Sequence, residues 1–230
     1  MKAPAAKTPT PEPRPLLVLL SFATGATDGF AFLALGGIFT ANMTGNLVLL
    51  ALFHRSAWVH TAIGATAAIL TFALALGLAF HISGPRRSLD GGVVKLLGIA
   101  FSLQLATFLV WHVDGGVAPT FALQVAVIAL SSAAMAVQTA AARRAGDDRS
   151  ISTTFVTGTL AGLMQDIADG VPGERWLRFW ILLALPAGAL ASALVMVNHP
   201  GWGALLPAAV LLICFVCGVI AEAKQHDHTA

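Results

Sequence analysis

Five apolar runs, at about 59–82, 91–112, 117–143, 176–198 and 203–221, are each about 20 residues long, and a sixth begins at Pro15 and continues to about Gly37. Twenty helical residues at about 1.5 Å each cross the ~30 Å hydrocarbon layer of a bilayer, so the runs predict six membrane-spanning helices. The basic residues then sort themselves. With the N-terminus inside, the cytoplasmic segments collect Lys2, Lys7, Arg14, Arg86, Arg87, Lys95, Arg143, Arg144, Arg149, Arg175, Arg178 and Lys224, and the outer loops keep only Arg55. Twelve against one is a strong positive-inside signal, and it places both termini in the cytoplasm.

Two further segments, Ile38–Phe53 and Ile151–Ala168, are apolar enough to enter a membrane but carry polar clusters. If both crossed, eight spans would put Arg86, Arg87, Lys95, Arg143, Arg144 and Arg149 outside, and the bias would fall to seven against six. Each segment is therefore expected to dip in and return on its own side. Single cysteines at Ala57 and Gly116 should then label from outside, and those at Ser88 and Gly146 should not.

Composition excludes the soluble classes. Hydrophobic residues make up 57% and charged residues 10% of the chain, against roughly 25% charged in soluble domains. The net charge of +2 is a topology signal, and no basic run is dense enough for nucleic acid. Residues 1–14, rich in Pro and Ala, read as a disordered cytoplasmic arm, 15–221 as one transmembrane domain, and 222–230 as a loose cytoplasmic tail. Cys214 and Cys217 have CxxC spacing but sit in an apolar run, where they read as small buried hydrophobes. The two tail histidines lack further ligands, so neither a metal nor a cofactor is expected.

The two polar dips resemble one another. Phe39–Leu47 reads FTANMTGNL and Ser152–Leu160 reads STTFVTGTL, and the two align with Thr44-Gly45 on Thr157-Gly158. The same offset carries span 59–82 onto 172–195 and 91–112 onto 204–225. Three is an odd number of crossings, so the second half must be inverted relative to the first. The expected fold class is an all-α polytopic membrane protein with six transmembrane helices in two inverted three-helix repeats, about 15–112 and 117–221, each with a short re-entrant Thr-Gly segment.

Irregular backbone at membrane depth must be buried in protein or line an aqueous cavity. Asn42, Thr44, Thr157 and Thr159 are candidate caps, and Gly45 and Gly158 permit a tight turn or close approach. Two half-helix N-termini would meet near the bilayer midplane and present N–H groups to an anionic or polar solute. Valine should be tolerated worse at Gly45 or Gly158 than at Gly64. Asp28 is the lone acid deep inside a span, where an unpaired charge costs at least ~2.5 kcal/mol. It reads as a coupling residue, or as a tie between the first helix and the first dip. Asn46 adjoins Thr44-Gly45. Gln138 precedes Thr157 at nearly the interval by which Asp28 precedes Thr44, and so reads as the counterpart of Asp28 in the second half. Gln104 and Gln124 read as interhelical hydrogen-bonding residues, and Asp166 as interfacial. Trp58, Trp111, Trp176, Trp180 and Trp202 fall near span ends, as an aromatic belt requires. Gly25, Gly29, Gly36, Gly37, Gly64, Gly77 and Gly188 allow close helix contact.

The stretch GATDGFAFLALGGIFTANMTGNLVLL, followed by AVQTAAARR and STTFVTGTL, resembles the YoaK-like family of bacterial inner-membrane proteins, a domain of unknown function. The resemblance runs from about Leu16 to Ala221 and implies an inner-membrane protein of about six spans, with no activity attached.

Function is therefore argued from the pattern. Inverted repeats, paired broken segments and one buried acid predict a small secondary transporter of a polar or anionic solute, with proton coupling at Asp28. A passive channel keeps the same symmetry without alternating access. An enzyme is not expected, since no serine-protease turn, HExxH or acid cluster is present. The partners expected are the lipid bilayer and a small solute, and a homodimer is a reasonable hypothesis for so small a transporter.

Overall fold

The computed structural model describes residues 14–83, 91–116, 120–145, 156–170 and 174–227; the expectations for residues 1–13, 84–90 and 146–155 lie outside them. Among the described residues there are eight α-helices, one short 3-10 turn at Pro200–Trp202 and no strand. Six helices are long and apolar enough to cross a membrane: α1 (Arg14–Ala34), α3 (Trp58–Ser83), α4 (Gly91–Val113), α5 (Phe121–Ala145), α7 (Arg175–Asn198) and α8 (Leu205–Asp227). Two are short, α2 (Met43–Ala51) and α6 (Val156–Ala168). Where a loose tail is expected from residue 222, α8 instead stays helical to Asp227.

The long helices pack as α1 on α7 and α8, α5 on α3 and α4, and α4 on α8, while α2 lies on α3 and α6 on α7. Small residues let α1 and α7 touch backbone to backbone. A Cβ added to Gly25 would strike the Leu185 carbonyl, one on Gly188 the Phe22 carbonyl, and one on Gly29 would lie 3.0 Å from the Ala189 Cα. Gly25 and Gly29 form a GxxxG pair, the spacing that brings membrane helices closest. The other glycines expected to allow close helix contact make no backbone contact of this kind. Gly64 faces the side chains of Ile38 and Ile128, Gly77 faces open space, and Gly36 and Gly37 form a turn.

Two apolar clusters make the core. One holds Leu17, Leu20, Leu97, Met135 and Leu211, the other Phe30, Leu35, Ile38, Phe108 and Ile128. Along each of α1, α4 and α5 a buried polar stretch separates them: Thr24 and Thr27, Gln104 and Thr107, Ser131 and Ser132. The bundle thus carries a polar layer across its middle. Gln138 makes the interhelical bond that a buried amide needs. Neither end of the Gln104 amide meets a hydrogen-bond partner among the described residues, so the bond expected there does not form.

The helix ends sort into two sets. At one end Arg144 of α5 donates to the Ser83 hydroxyl and the Phe80 carbonyl of α3. At the other, the Trp111 indole donates to the Pro200 carbonyl at 2.8 Å and packs edge-on against Phe30. Trp111 is therefore a buried tie between helix ends and not a belt residue; Trp176, Trp180 and Trp202 keep exposed rings.

Candidate functional site

The site is built where α1 ends. Gly36 and Gly37 adopt φ of +79° and +75°, a region that glycine enters without steric cost, and they turn the chain back against α1 and α5. Residues 38–42 are not helical, so their amides need side-chain partners. Asp28 of α1 supplies them: its Oδ1 accepts the Thr40 N–H at 2.9 Å and the Ala41 N–H at 2.8 Å. Asn46 of α2 accepts the Phe39 N–H at 3.0 Å and donates to the Phe39 carbonyl at 2.7 Å. The Ser131 hydroxyl of α5 reaches the Thr40 hydroxyl at 3.1 Å. Asn42 then caps α2 by accepting the Gly45 N–H at 3.1 Å, as a short polar side chain at that position is suited to do.

Beside this turn lies a cavity of about 800 Å³. Its walls come from four helices: Thr24, Asp28, Phe32 and Leu33 of α1, Thr44, Gly45 and Val48 of α2 with Asn42 before it, Val156 and Thr157 of α6, and Leu185, Ala189 and Leu190 of α7. The starts of both short helices, one from each half of the sequence, therefore reach one space.

Of the residues singled out in the sequence, Asp28, Asn42, Thr44, Gly45 and Thr157 line this cavity, and Asn46, Gln138, Gly158 and Thr159 do not. Asn46 is fully buried as the clamp on Phe39, and Thr159 is buried in α6. Gly45 is not the turn residue: it lies in the first turn of α2, where an added Cβ would come within 2.8 Å of the Phe39 ring. The turn belongs to Gly36-Gly37. Gln138 donates its amide to the Leu20 carbonyl and the Thr24 hydroxyl of α1, both at 2.8 Å, and the stretch it would hold as the counterpart of Asp28 lies outside the described residues.

Three contributors are not legible in the sequence. Phe32 and Phe39 stack at 5.1 Å between ring centroids and share the cavity wall, though in the sequence they are two of thirteen phenylalanines. Arg178 counts there only as a topology marker. It is a buried cation of α7 that pairs with Asp166 of α6, Nε to Oδ2 at 3.0 Å, and sits where a Cβ on Gly162 would be. Asp166 is thus an anchor of α6 and not a free interfacial acid.

Residues 16–218 match the family described as "Protein of unknown function (DUF1275)". The UPF0700 transmembrane protein YoaK of Bacillus subtilis (strain 168) is 35% identical over 177 residues, covering 74% of this chain and 76% of the relative. No solved structure matches the chain.

Proposed function

The chain belongs to the DUF1275 family and is a multi-pass membrane protein, and we propose that it is a small secondary transporter whose solute site is the cavity beside Asp28. One observation carries the reading: two helix starts from opposite halves of the sequence converge on one cavity with the deeply placed acid on its wall. Broken helices meeting at a central site are the recurring plan of such transporters.

Inverted repetition is part of the proposal. In its support, the offset that aligns the two Thr-Gly pairs carries the short helix α2 onto the short helix α6, and the packing is preserved when the halves are exchanged. The contact of α1 with α7 becomes that of α5 with α3, α2 on α3 becomes α6 on α7, and α4 on α5 becomes α8 on α1. Re-entry of the first segment is supported by Thr40, which meets Ser131 well inside α5 although the flanking Gly37 and Arg55 lie together near the helix ends. In the proposed orientation the Arg144 end faces the cytoplasm of a bacterial inner membrane, because the basic residues collect there.

Asp28 is the proposed proton carrier, since it is the ionisable side chain among the described residues lining the cavity. The reading is of a carrier: beside Asp28 the described lining offers threonine hydroxyls and no His, Cys, Lys or Ser. The test is counterflow in proteoliposomes with solutes first selected by thermal shift. Saturable exchange that an imposed pH gradient drives, and that Asp28→Asn uncouples, is the expected result; non-saturable flux would point to a channel.

A further inference from the structure

The chemistry of the cavity wall narrows the solute, and not in the direction that helix N-termini alone suggest. Three of the amides that could have attracted an anion on the α2 side are already engaged. Thr40 and Ala41 donate to the Asp28 carboxyl, and Gly45 donates to Asn42. Among the described residues of the wall no side chain is basic, and Asp28 is acidic. A second carboxylate or phosphate would enter against a like charge with no cation to offset it.

What the wall does offer is suited to a positive head on an apolar body. Phe32 and Phe39 present stacked rings on the same wall as Asp28, and aromatic faces attract ammonium groups through their quadrupole. Leu33, Val48 and Leu190 line the cavity and are each more than half exposed on the flank of the bundle. The cavity is therefore open toward the apolar surround as well as toward Asp28. Its volume, about 800 Å³, lies within the range of sites for drug-sized molecules.

We propose that this cavity takes an amphipathic organic cation, a single quaternary or protonated amine on an apolar body, with the head between Asp28 and the Phe32–Phe39 pair and the body against Leu33 and Leu190. The proposal rests on the transport reading for the site but is tested by binding. The full chain in phosphatidylcholine nanodiscs is titrated with tritiated tetraphenylphosphonium, with benzyltrimethylammonium and benzenesulfonate as competitors. Saturable binding displaced by the ammonium and not by the sulfonate is expected. Asp28→Asn should weaken it at least tenfold. Phe32→Leu, at a half-exposed ring, should weaken it severalfold at unchanged Tm. Displacement by benzenesulfonate, affinity unaltered in both variants, or no saturable binding by the folded wild-type chain would each overturn the proposal. Cation binding without counterflow would leave it standing and count against the transport reading, whereas counterflow of anions alone would do the reverse.

Discussion

Asn46 holds Phe39 by both sides of its peptide backbone, accepting the N–H at 3.0 Å and donating to the carbonyl at 2.7 Å. The side-chain amide thereby does for one residue of a non-helical stretch what a neighbouring strand would do in a sheet. Asn46→Ala strands a donor and an acceptor in an apolar setting, at about 1–3 kcal/mol each, so a loss of about 3 kcal/mol is expected. Asn46→Asp keeps the acceptor but sets a buried carboxylate against the Phe39 carbonyl, and should lose at least as much. Thermal unfolding in one detergent orders the three proteins, and an Asn46→Ala as stable as wild type would show that the clamp does not hold the turn.

Asp28 has a structural task separable from ionisation. Asn in its place retains an Oδ1 that can accept the Thr40 and Ala41 amides, and Ala does not. Asp28→Ala should lose about 3 kcal/mol of stability through the unpaired amides, and Asp28→Asn less than about 1 kcal/mol. Equal melting of the two variants would mean that the amides find other partners.

These residues mark the limit of what the sequence displays. Spans are legible because length and apolarity are summed over a whole crossing, and the short helices because Thr-Gly recurs at a fixed offset. The pairing of Gln138 with Asp28 rests on spacing alone: on the offset that carries Thr44 onto Thr157, Asp28 falls on Ala141, three positions from Gln138 and on the same face of the helix, and that this face bonds to α1 is seen only in the structure. Arg178 is hidden for a different reason. A basic residue near a span end satisfies the charge rule wherever its side chain points, so its burial against α6 leaves no trace in the pattern.

The α1–α7 crossing gives a graded test. Gly25→Ala and Gly188→Ala each place a methyl group against a carbonyl of the facing backbone, which cannot rotate away, and each should cost about 3 kcal/mol or prevent folding. Gly64, chosen on sequence as a tolerant site, is intermediate, since its Cβ would meet the mobile ends of Ile38 and Ile128. Gly77 is the proper control. Nothing lies within 4 Å of its Cβ, and Gly77→Ala should be neutral or stabilising by up to about 1 kcal/mol through helix propensity. A Gly25→Ala variant that melts with Gly77→Ala would refute the close crossing.

Arg178 and Asp166 anchor α6 to α7. Removing one partner of a buried pair is costlier than removing both, so Arg178→Ala should lose about 3 kcal/mol, and Arg178→Met combined with Asp166→Leu should recover at least half of it. Gly162→Ala pushes a methyl group into the guanidinium and should loosen the same anchor. The local readout is maleimide labelling at Met164→Cys, faster in both single variants. Unchanged labelling would show that α6 is held by its apolar face alone.

The proposed orientation is tested by where cysteines label, and the structure changes which positions are fit to carry them. Gly116 is a poor site, since its φ of +79° favours glycine and its Cβ would strike the Gly201 backbone. Asp114 and Ser56 are exposed at the same end. Asp114→Cys and Ser56→Cys should react with an impermeant maleimide on intact cells. Lys224→Cys, at the end where the basic residues collect, and Ser88→Cys, in the stretch outside the described residues that joins α3 to α4, should react only after permeabilisation. Because α5 packs on both α3 and α4 and Arg144 ties it to α3, one labelled pair fixes the orientation of the bundle. Labelling of Ser88→Cys and Ser56→Cys together in intact cells would be incompatible with one crossing by α3, and with it the inverted repeat would fall.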